Sequence, residues 1–278
     1  MVKVYYPNTL EEAICIKDKS KSILIAGGTD IMVKKKNASG LLPKFEKSIE
    51  FIGHIKELQY ITEEKNNLII GAACTYAQII EDPRVPEILK KAIKEIASPA
   101  IRNIGTLVGN IVNASPAGDT LPVLYNFNAS INIVGKETSR DIPIMDFIVG
   151  PGRTLLKEEE LVKSVEIPLK DFSYTYYKKV GARKADAISK LSFVGLANIK
   201  NKTISDIRIA FGAVGPTVIR CEEAERRLIG KKIDEDLFDV VKDIYRSSIK
   251  PIDDQRSSAK YRKTVSIRIL KDFLMNCK

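Results

Sequence analysis

The stretch "SILIAGGTDIMVKKK", residues 22–36, sets an apolar run against two adjacent glycines and then a threonine–aspartate pair. Ile23, Leu24, Ile25 and Ala26 form a short, largely apolar segment that predicts a buried strand, and Thr29 or Asp30 is a natural N-cap for a helix beginning near Ile31. Gly27 and Gly28 then make the turn between them. Glycine reaches positive φ without steric penalty and carries no Cβ, so two in succession let another group come close to the main chain. Unpaired N–H groups of such a turn and of a helix start attract anions. Two readings stand at this point: a loop that cradles phosphate, and an ordinary strand–turn–helix.

A second stretch, "IASPAIRNIGTLVGNIVNASPAGDTLPVL" at residues 96–124, has the same flavour over a longer span. Gly105, Gly109 and Gly118 alternate with Asn103, Thr106, Asn110, Asn113, Ser115 and Asp119, while Pro99, Pro116 and Pro122 rule out one long helix. The segment is expected to be neither a regular helix nor a regular strand. So long a run of donors inside a patterned chain is where ligand contacts are usually found.

Composition narrows the classes. The chain has 278 residues, 44% of them hydrophobic, enough for two domains or one large one. The opening "MVKVYYPNTLEEA" has no apolar signal-peptide core, and no stretch is apolar for long enough to span a bilayer, so the chain reads as cytoplasmic. Cys15, Cys74, Cys221 and Cys277 are far apart with no C-x-x-C pair, which argues against a disulfide framework and against a metal or iron–sulfur site on this chain. The net charge of +10 is spread among acids, with only short runs such as "KDKSK" and "KKK", so a dedicated nucleic-acid function is not indicated. Neither G-x-G-x-x-G nor G-x-x-x-x-G-K-[ST] occurs, which removes the signatures of a Rossmann nicotinamide site and a P-loop NTPase. The single histidine, His54, has no G-x-S-x-G beside it to suggest a hydrolase, and Asp253 and Asp254 next to Arg256 read as a salt-bridged turn. No residue is read as catalytic in its own right.

Seven segments, taken in order, are spread along nearly the whole chain: "AGGTD" (26–30), "ASPAIRNIGTLVGN" (97–110), "NASPAGD" (113–119), "DFIVGPGRTLLKEEELVKSVEIP" (146–168), "YYKKVGARKADAIS" (176–189), "GAVGPTVIRCEEAERRLIGK" (212–231) and "PIDDQRSSAKYRK" (251–263). This series resembles the FAD-binding medium subunit of the molybdenum hydroxylases, the family of carbon monoxide, xanthine and related aldehyde or N-heterocycle dehydrogenases. The resemblance implies that FAD pyrophosphate is held by main-chain N–H groups of two segments. One comprises Ile25, Ala26, Gly27, Gly28, Thr29, Asp30 and Ile31; the other includes Thr106, Gly109 and Asn110. It further implies polar contacts from Ser115 and Asp119, a flavin-lining segment at Val162, and Lys178 beside the isoalloxazine, where a cation stabilises negative charge on the reduced ring. The chain departs from the family pattern at Val108, where a glycine is usual in T-x-G-G-N.

The pattern of elements predicts an α+β fold. Residues 1–53 alternate strand and helix, including an amphipathic helix over "PNTLEEAICIK". Residues 54–170 mix short strands such as "NLIIGAA", the helix "RVPEILKKAIKEIA" and the donor-rich segment. Residues 171–278 give three successive strands, "YTYYKKV", "SKLSFVGLANIK" and "ISDIRIAFGAV", then helices from Glu222 and Ser257. By resemblance, residues 1–170 are a two-lobed FAD-binding domain of the vanillyl-alcohol-oxidase (PCMH) type, followed by a C-terminal domain with a three-stranded antiparallel sheet and helices. The implied role is electron transfer from 2Fe–2S clusters on a small subunit through FAD to NAD or another acceptor. Molybdopterin would sit on a large subunit, the assembly being a dimer of heterotrimers. The alternative is a binding or assembly protein that keeps the fold without a catalytic flavin.

Overall fold

Short-range chemistry accounts for most of the elements in the computed structural model, which describes residues 2–277. Thr9 caps the helix Leu10–Ser20 by accepting the Glu12 N–H at 3.1 Å, and Lys21 ends it in the left-handed conformation. Two hairpins turn on adjacent left-handed residues, Lys65–Asn66 and Asn201–Lys202, whose positive φ values match the twist of the strands they join. The helix Tyr76–Glu81 starts with a reciprocal capping box between Thr75 and Gln78.

The chain divides into two units. The first comprises the chain up to Val85, Ser98–Ala114 and Asn128–Leu169. It holds a small parallel sheet in which Ile49–Phe51 lies between Val4–Tyr5 and Ile23–Ile25. It also holds a five-stranded antiparallel sheet, in the order Ile61–Glu64, Asn67–Gly71, Leu161–Pro168, Ser130–Val134, Ser139–Pro143. The inward faces of these strands, Leu68, Ile70, Ile131, Ile133 and Val165, are fully buried.

The second unit comprises Pro86–Ala97, Ser115–Phe127 and the chain from Lys170 onward. Its sheet has four antiparallel strands in the order Tyr174–Val180, Leu191–Lys200, Thr203–Gly212, Ile219–Arg220. The expected three strands are all present, and the expectation of a three-stranded sheet is corrected by the fourth. Ile219–Arg220 spans two residues, too few to register as a periodic pattern, and exists because Ala210 and Phe211 offer it an edge. Phe193, Phe211, Phe273 and Tyr245 centre the core between this sheet and the helices Lys242–Ser248 and Ala259–Asn276. A Cβ on Gly195 would fall 2.5 Å from the Phe273 ring, so the helix lies directly on the strand.

The donor-rich segment is more helical than expected. It contains Pro99–Arg102, Leu107–Asn113 and Leu121–Asn126. Pro99 and Pro122 occupy the first turn of their helices, where a missing N–H leaves no intrahelical bond unmade. The prolines that forbid one long helix therefore begin two short ones. Among the described residues, no helix is long and apolar enough to cross a membrane.

Candidate functional site

The first glycine turn lies in the first unit. Gly28 has φ +70°, and Asp30 precedes the short helix Ile31–Lys34. Asp30 is the positional N-cap but makes no capping hydrogen bond; its carboxylate pairs with Lys34 Nζ at 2.8 Å, and Lys34 also donates to Asn113 Oδ1. Among the described residues, the backbone N–H groups of Gly27, Gly28, Thr29 and Asp30 have no acceptor. Four consecutive donors are thus presented by a turn with almost no side-chain cover.

Gly27 and Gly28 are required for different reasons. A Cβ on Gly28 would meet only side chains, Ile25 Cγ2 at 3.2 Å and Met32 Cγ at 3.5 Å, so that position needs glycine for its positive φ. At Gly27 a Cβ would lie 2.8 Å from the carbonyl carbon of Ile104 and 3.0 Å from Gly105 Cα, with the Ile104 oxygen closer still. The turn is bare there because the second segment packs on it, main chain against main chain. A Cβ on Gly105 would in turn fall 3.4 Å from Thr29 Oγ1. The two stretches separated by about seventy positions are therefore neighbours within one unit.

In the second segment Thr106, 5% exposed, caps the helix Leu107–Asn113 and accepts the Gly109 N–H at 3.0 Å. The Asn110 N–H goes to the Thr106 carbonyl. The N–H groups of Leu107 and Val108 have no acceptor among the described residues. Val108 is 4% exposed, so its branched side chain is taken up by the interior. Ile104 stands 54% exposed beside the turn. Ile25 and Val162 are buried, in the strand leading to the turn and in Leu161–Pro168 respectively.

This donor set fits a polyanion carrying rings: unpaired main-chain N–H groups, a turn whose glycines project no side chain, and an exposed apolar side chain alongside. It fits the pyrophosphate of FAD.

In the second unit the loop 115–119 is fastened at several points. Ser115 Oγ accepts the Ala117 N–H at 3.3 Å, and the Pro116 carbonyl accepts the Ala213 N–H at 2.7 Å. Asp119 is 6% exposed; Ser189 Oγ donates to its Oδ1 at 2.5 Å and Lys179 Nζ lies 2.8 Å from its Oδ2. Lys179 donates its other bond to the Glu95 carbonyl at 2.7 Å. Burial pushes the Asp119 carboxyl up, against the Lys179 ammonium and the two hydrogen bonds that favour its charge. Burial likewise raises Glu95, opposed by Lys179.

These contacts change how two expected residues are placed. Both oxygens of Asp119 are engaged by protein donors, which makes it a fastening of its own loop. Lys178 is exposed, and strand alternation sets it on the face that carries Tyr174 and Tyr176, the face packed on Phe273. The lysine joined to Asp119 is its neighbour, Lys179, which sequence reasoning missed together with Ser189. Period-two alternation was the available signal, but the aromatic residues of "YTYYKKV" fall on both faces and leave it ambiguous.

The fold is α+β and its donor set fits a dinucleotide. The chain matches the model of the FAD binding domain in molybdopterin dehydrogenase over residues 1–170, and that of the CO dehydrogenase flavoprotein C-terminal domain over residues 175–277. It belongs to this family, the FAD-binding medium subunits of the molybdenum hydroxylases. It is 36% identical over 219 residues to the glyceraldehyde dehydrogenase medium chain of Sulfolobus acidocaldarius, covering 77% of each chain. It is 30% identical over 261 residues to the xanthine dehydrogenase FAD-binding subunit of Escherichia coli, covering 91% of this chain and 88% of that one. Carbon monoxide dehydrogenase from Hydrogenophaga pseudoflava, in a form lacking the Mo-pyranopterin moiety of its cofactor, superposes with a TM-score of 0.88 at 27% identity, over 98% of this chain and 95% of that chain.

Proposed function

We propose that this chain is the electron-transfer flavoprotein component of a molybdopterin-dependent dehydrogenase. It would receive electrons from 2Fe–2S clusters on a small partner subunit, after oxidation of an organic substrate at molybdopterin on a large subunit, and deliver them to NAD or another acceptor. The assembly is read as a cytoplasmic dimer of heterotrimers. The observation that carries the reading is the run of unpaired N–H groups at Gly27, Gly28, Thr29 and Asp30, with the 104–109 backbone packed against the turn. The parallel and antiparallel sheets of the first unit support a two-lobed domain of the vanillyl-alcohol-oxidase type. Four dispersed cysteines support placing iron on a partner.

Bound FAD supplies a carrier that accepts two electrons and releases them singly or together. The chain's own residues do the holding. Ile25 and Ala26 lead the strand into the turn, and the N–H groups from Gly27 to Ile31 hold pyrophosphate. Thr106 fixes Gly109 and Asn110 behind it, Ser115 offers a hydroxyl on its own loop, and Val162 lines an apolar wall. Asp119 and Lys179 neutralise each other, so the loop gains rigidity without a net buried charge.

The test is to purify the chain and ask for a flavin spectrum, then identify the nucleotide released on denaturation. FAD is expected. A chain that stays colourless after incubation with excess FAD would refute the reading and favour a binding or assembly role. Adding substrate to the co-expressed complex is expected to bleach the flavin, whereas the isolated chain stays oxidised.

A further inference from the structure

The motif "PIDDQRSSAKYRK", residues 251–263, carries far more hydrogen bonding than a helix start requires. Ser258 already caps the helix Ala259–Asn276 through the Tyr261 N–H at 3.2 Å, and Asp253 Oδ1 accepts the Ala259 N–H at 2.6 Å. Asp254 adds a second cluster, accepting the N–H groups of Arg256 at 2.8 Å and Ser257 at 3.2 Å and pairing with Arg262 Nη2 at 2.5 Å. Arg262 is 4% exposed although it lies in the second turn of the helix, near the end where a cation is disfavoured. Its Nε is buried without a hydrogen-bond partner among the described residues. A long cation sunk there at such a cost needs a compensating role.

Its remaining donor shows where that role lies. Arg262 Nη1 donates to the Ala213 carbonyl at 3.1 Å. Ala213 is a non-glycine residue at φ +61°, a conformation that costs energy unless its surroundings hold it. Its N–H donates to the Pro116 carbonyl at 2.7 Å. The neighbouring Gly212 has no room for a side chain, since a Cβ would fall 3.0 Å from Pro122 Cγ and nearer still to Ser192 Oγ. One residue thus grips the 115–119 loop through its N–H and is gripped by Arg262 through its carbonyl.

We propose that Arg262, oriented by Asp254, is a positioning residue: it holds Ala213 in its left-handed turn and thereby sets the Pro116 carbonyl and the conformation of the loop that carries Ser115, one of the residues proposed above for flavin binding. This rests on the reading of the chain as an FAD protein. The motif's position in the last third of the chain is then explained, because it acts on the loop through Ala213. Asp254 is a single acceptor that orders both the turn 254–257 and the guanidinium.

The experiment compares Arg262→Met, Arg262→Lys and Ser258→Ala. The last removes the cap of the same helix without touching Ala213. Three quantities are read: FAD affinity by fluorescence quenching, the visible circular dichroism of bound flavin, and hydrogen exchange of the peptide spanning 115–119 in the FAD-free chain. Losing a hydrogen bond from a charged group in a buried site corresponds to about a tenfold or greater loss of affinity. Arg262→Met is therefore expected to weaken FAD by about that factor, alter the flavin dichroism and speed exchange of the 115–119 peptide. Arg262→Lys, which keeps a charge that can reach one partner, is expected to fall between Met and wild type. Ser258→Ala is expected to lower the denaturation midpoint and leave affinity and exchange of the loop unchanged. Wild-type exchange in the 115–119 peptide of Arg262→Met would overturn the proposal, as would affinity losses that track the denaturation midpoint equally in Arg262→Met and Ser258→Ala. The exchange measurement uses no cofactor, so a wild-type chain that fails to bind FAD refutes the flavoprotein reading while the grip of Arg262 on the loop is still decided.

Discussion

Replacing Gly27 by alanine tests the packing of the two donor segments directly. The added Cβ would sit 2.8 Å from the Ile104 carbonyl carbon and 3.0 Å from Gly105 Cα, against an ordinary contact distance of 3.4 Å or more. Both neighbours are main chain, so no side-chain rotation relieves the overlap, and residues 104–105 must move away from the turn. Overpacking of this kind costs about 1–3 kcal/mol, or roughly 2–12 °C in midpoint at about 2–4 °C per kcal/mol for a unit of this size. The same movement separates the unpaired N–H groups at 27–30 from those at 107 and 108. Losing one strong hydrogen bond to an anion, about 1.5–3 kcal/mol, corresponds to an FAD dissociation constant raised about 10- to 100-fold. Gly28→Ala provides the contrast. There the backbone is clear and the cost is that of φ +70°, about 1–2 kcal/mol. Asparagine tolerates that conformation, so Gly28→Asn is expected to regain most of the loss while Gly27→Asn stays as damaged as Gly27→Ala. Thermal denaturation and fluorescence titration with FAD measure both effects. A Gly27→Ala chain that melts and binds like wild type would refute the argument.

FAD is expected to bind far more tightly than FMN, because the unpaired N–H groups of the glycine turn suit a pyrophosphate; equal affinities would locate the phosphate site elsewhere. Lys179→Met strands the buried Asp119 carboxylate and is expected to cost about 3–5 kcal/mol, most of it recovered when Asp119→Asn is added. Lys178→Met, on an exposed position, is expected to stay within about 0.5 kcal/mol of wild type, and a fall in flavin potential in that variant would instead place Lys178 at the ring. Val108→Gly empties a buried site and is expected to destabilise the chain by about 2–4 kcal/mol without tightening FAD; a gain in affinity would show that the valine obstructs the cofactor. Burial works to raise the Asp254 carboxyl, but the Arg256 N–H, the Arg262 guanidinium and the Ser257 N–H outweigh it and bring it down to about 2 from an ordinary 3.8. The ionised form is thus favoured by folding, so its stabilisation is complete above the ordinary value and is lost as pH falls through about 2. Denaturation of wild type and Asp254→Asn should therefore differ by a constant amount near neutrality and converge in acid, and a gap that persists at the acid limit would count against the Arg262 contact.

Local chemistry already in the sequence determined much of this protein. The apolar run before Gly27 specifies a strand, the paired glycines a turn, and the alternation in "SKLSFVGLANIK" and "ISDIRIAFGAV" two long strands that pair in the structure. The motifs in order were enough to identify the family. Tertiary structure decided what each glycine and lysine is for. Gly27 is bare because Ile104, far along the chain, lies against it, and no local pattern encodes that approach. Lys179 meets Asp119 and Lys178 does not, because the sheet turns one face of a strand toward the 115–119 loop. Arg262 reaches that loop through Ala213 and Pro116. Propensity and periodicity act over a few residues and set elements, whereas these contacts depend on which backbones pack together, a property of the folded chain as a whole.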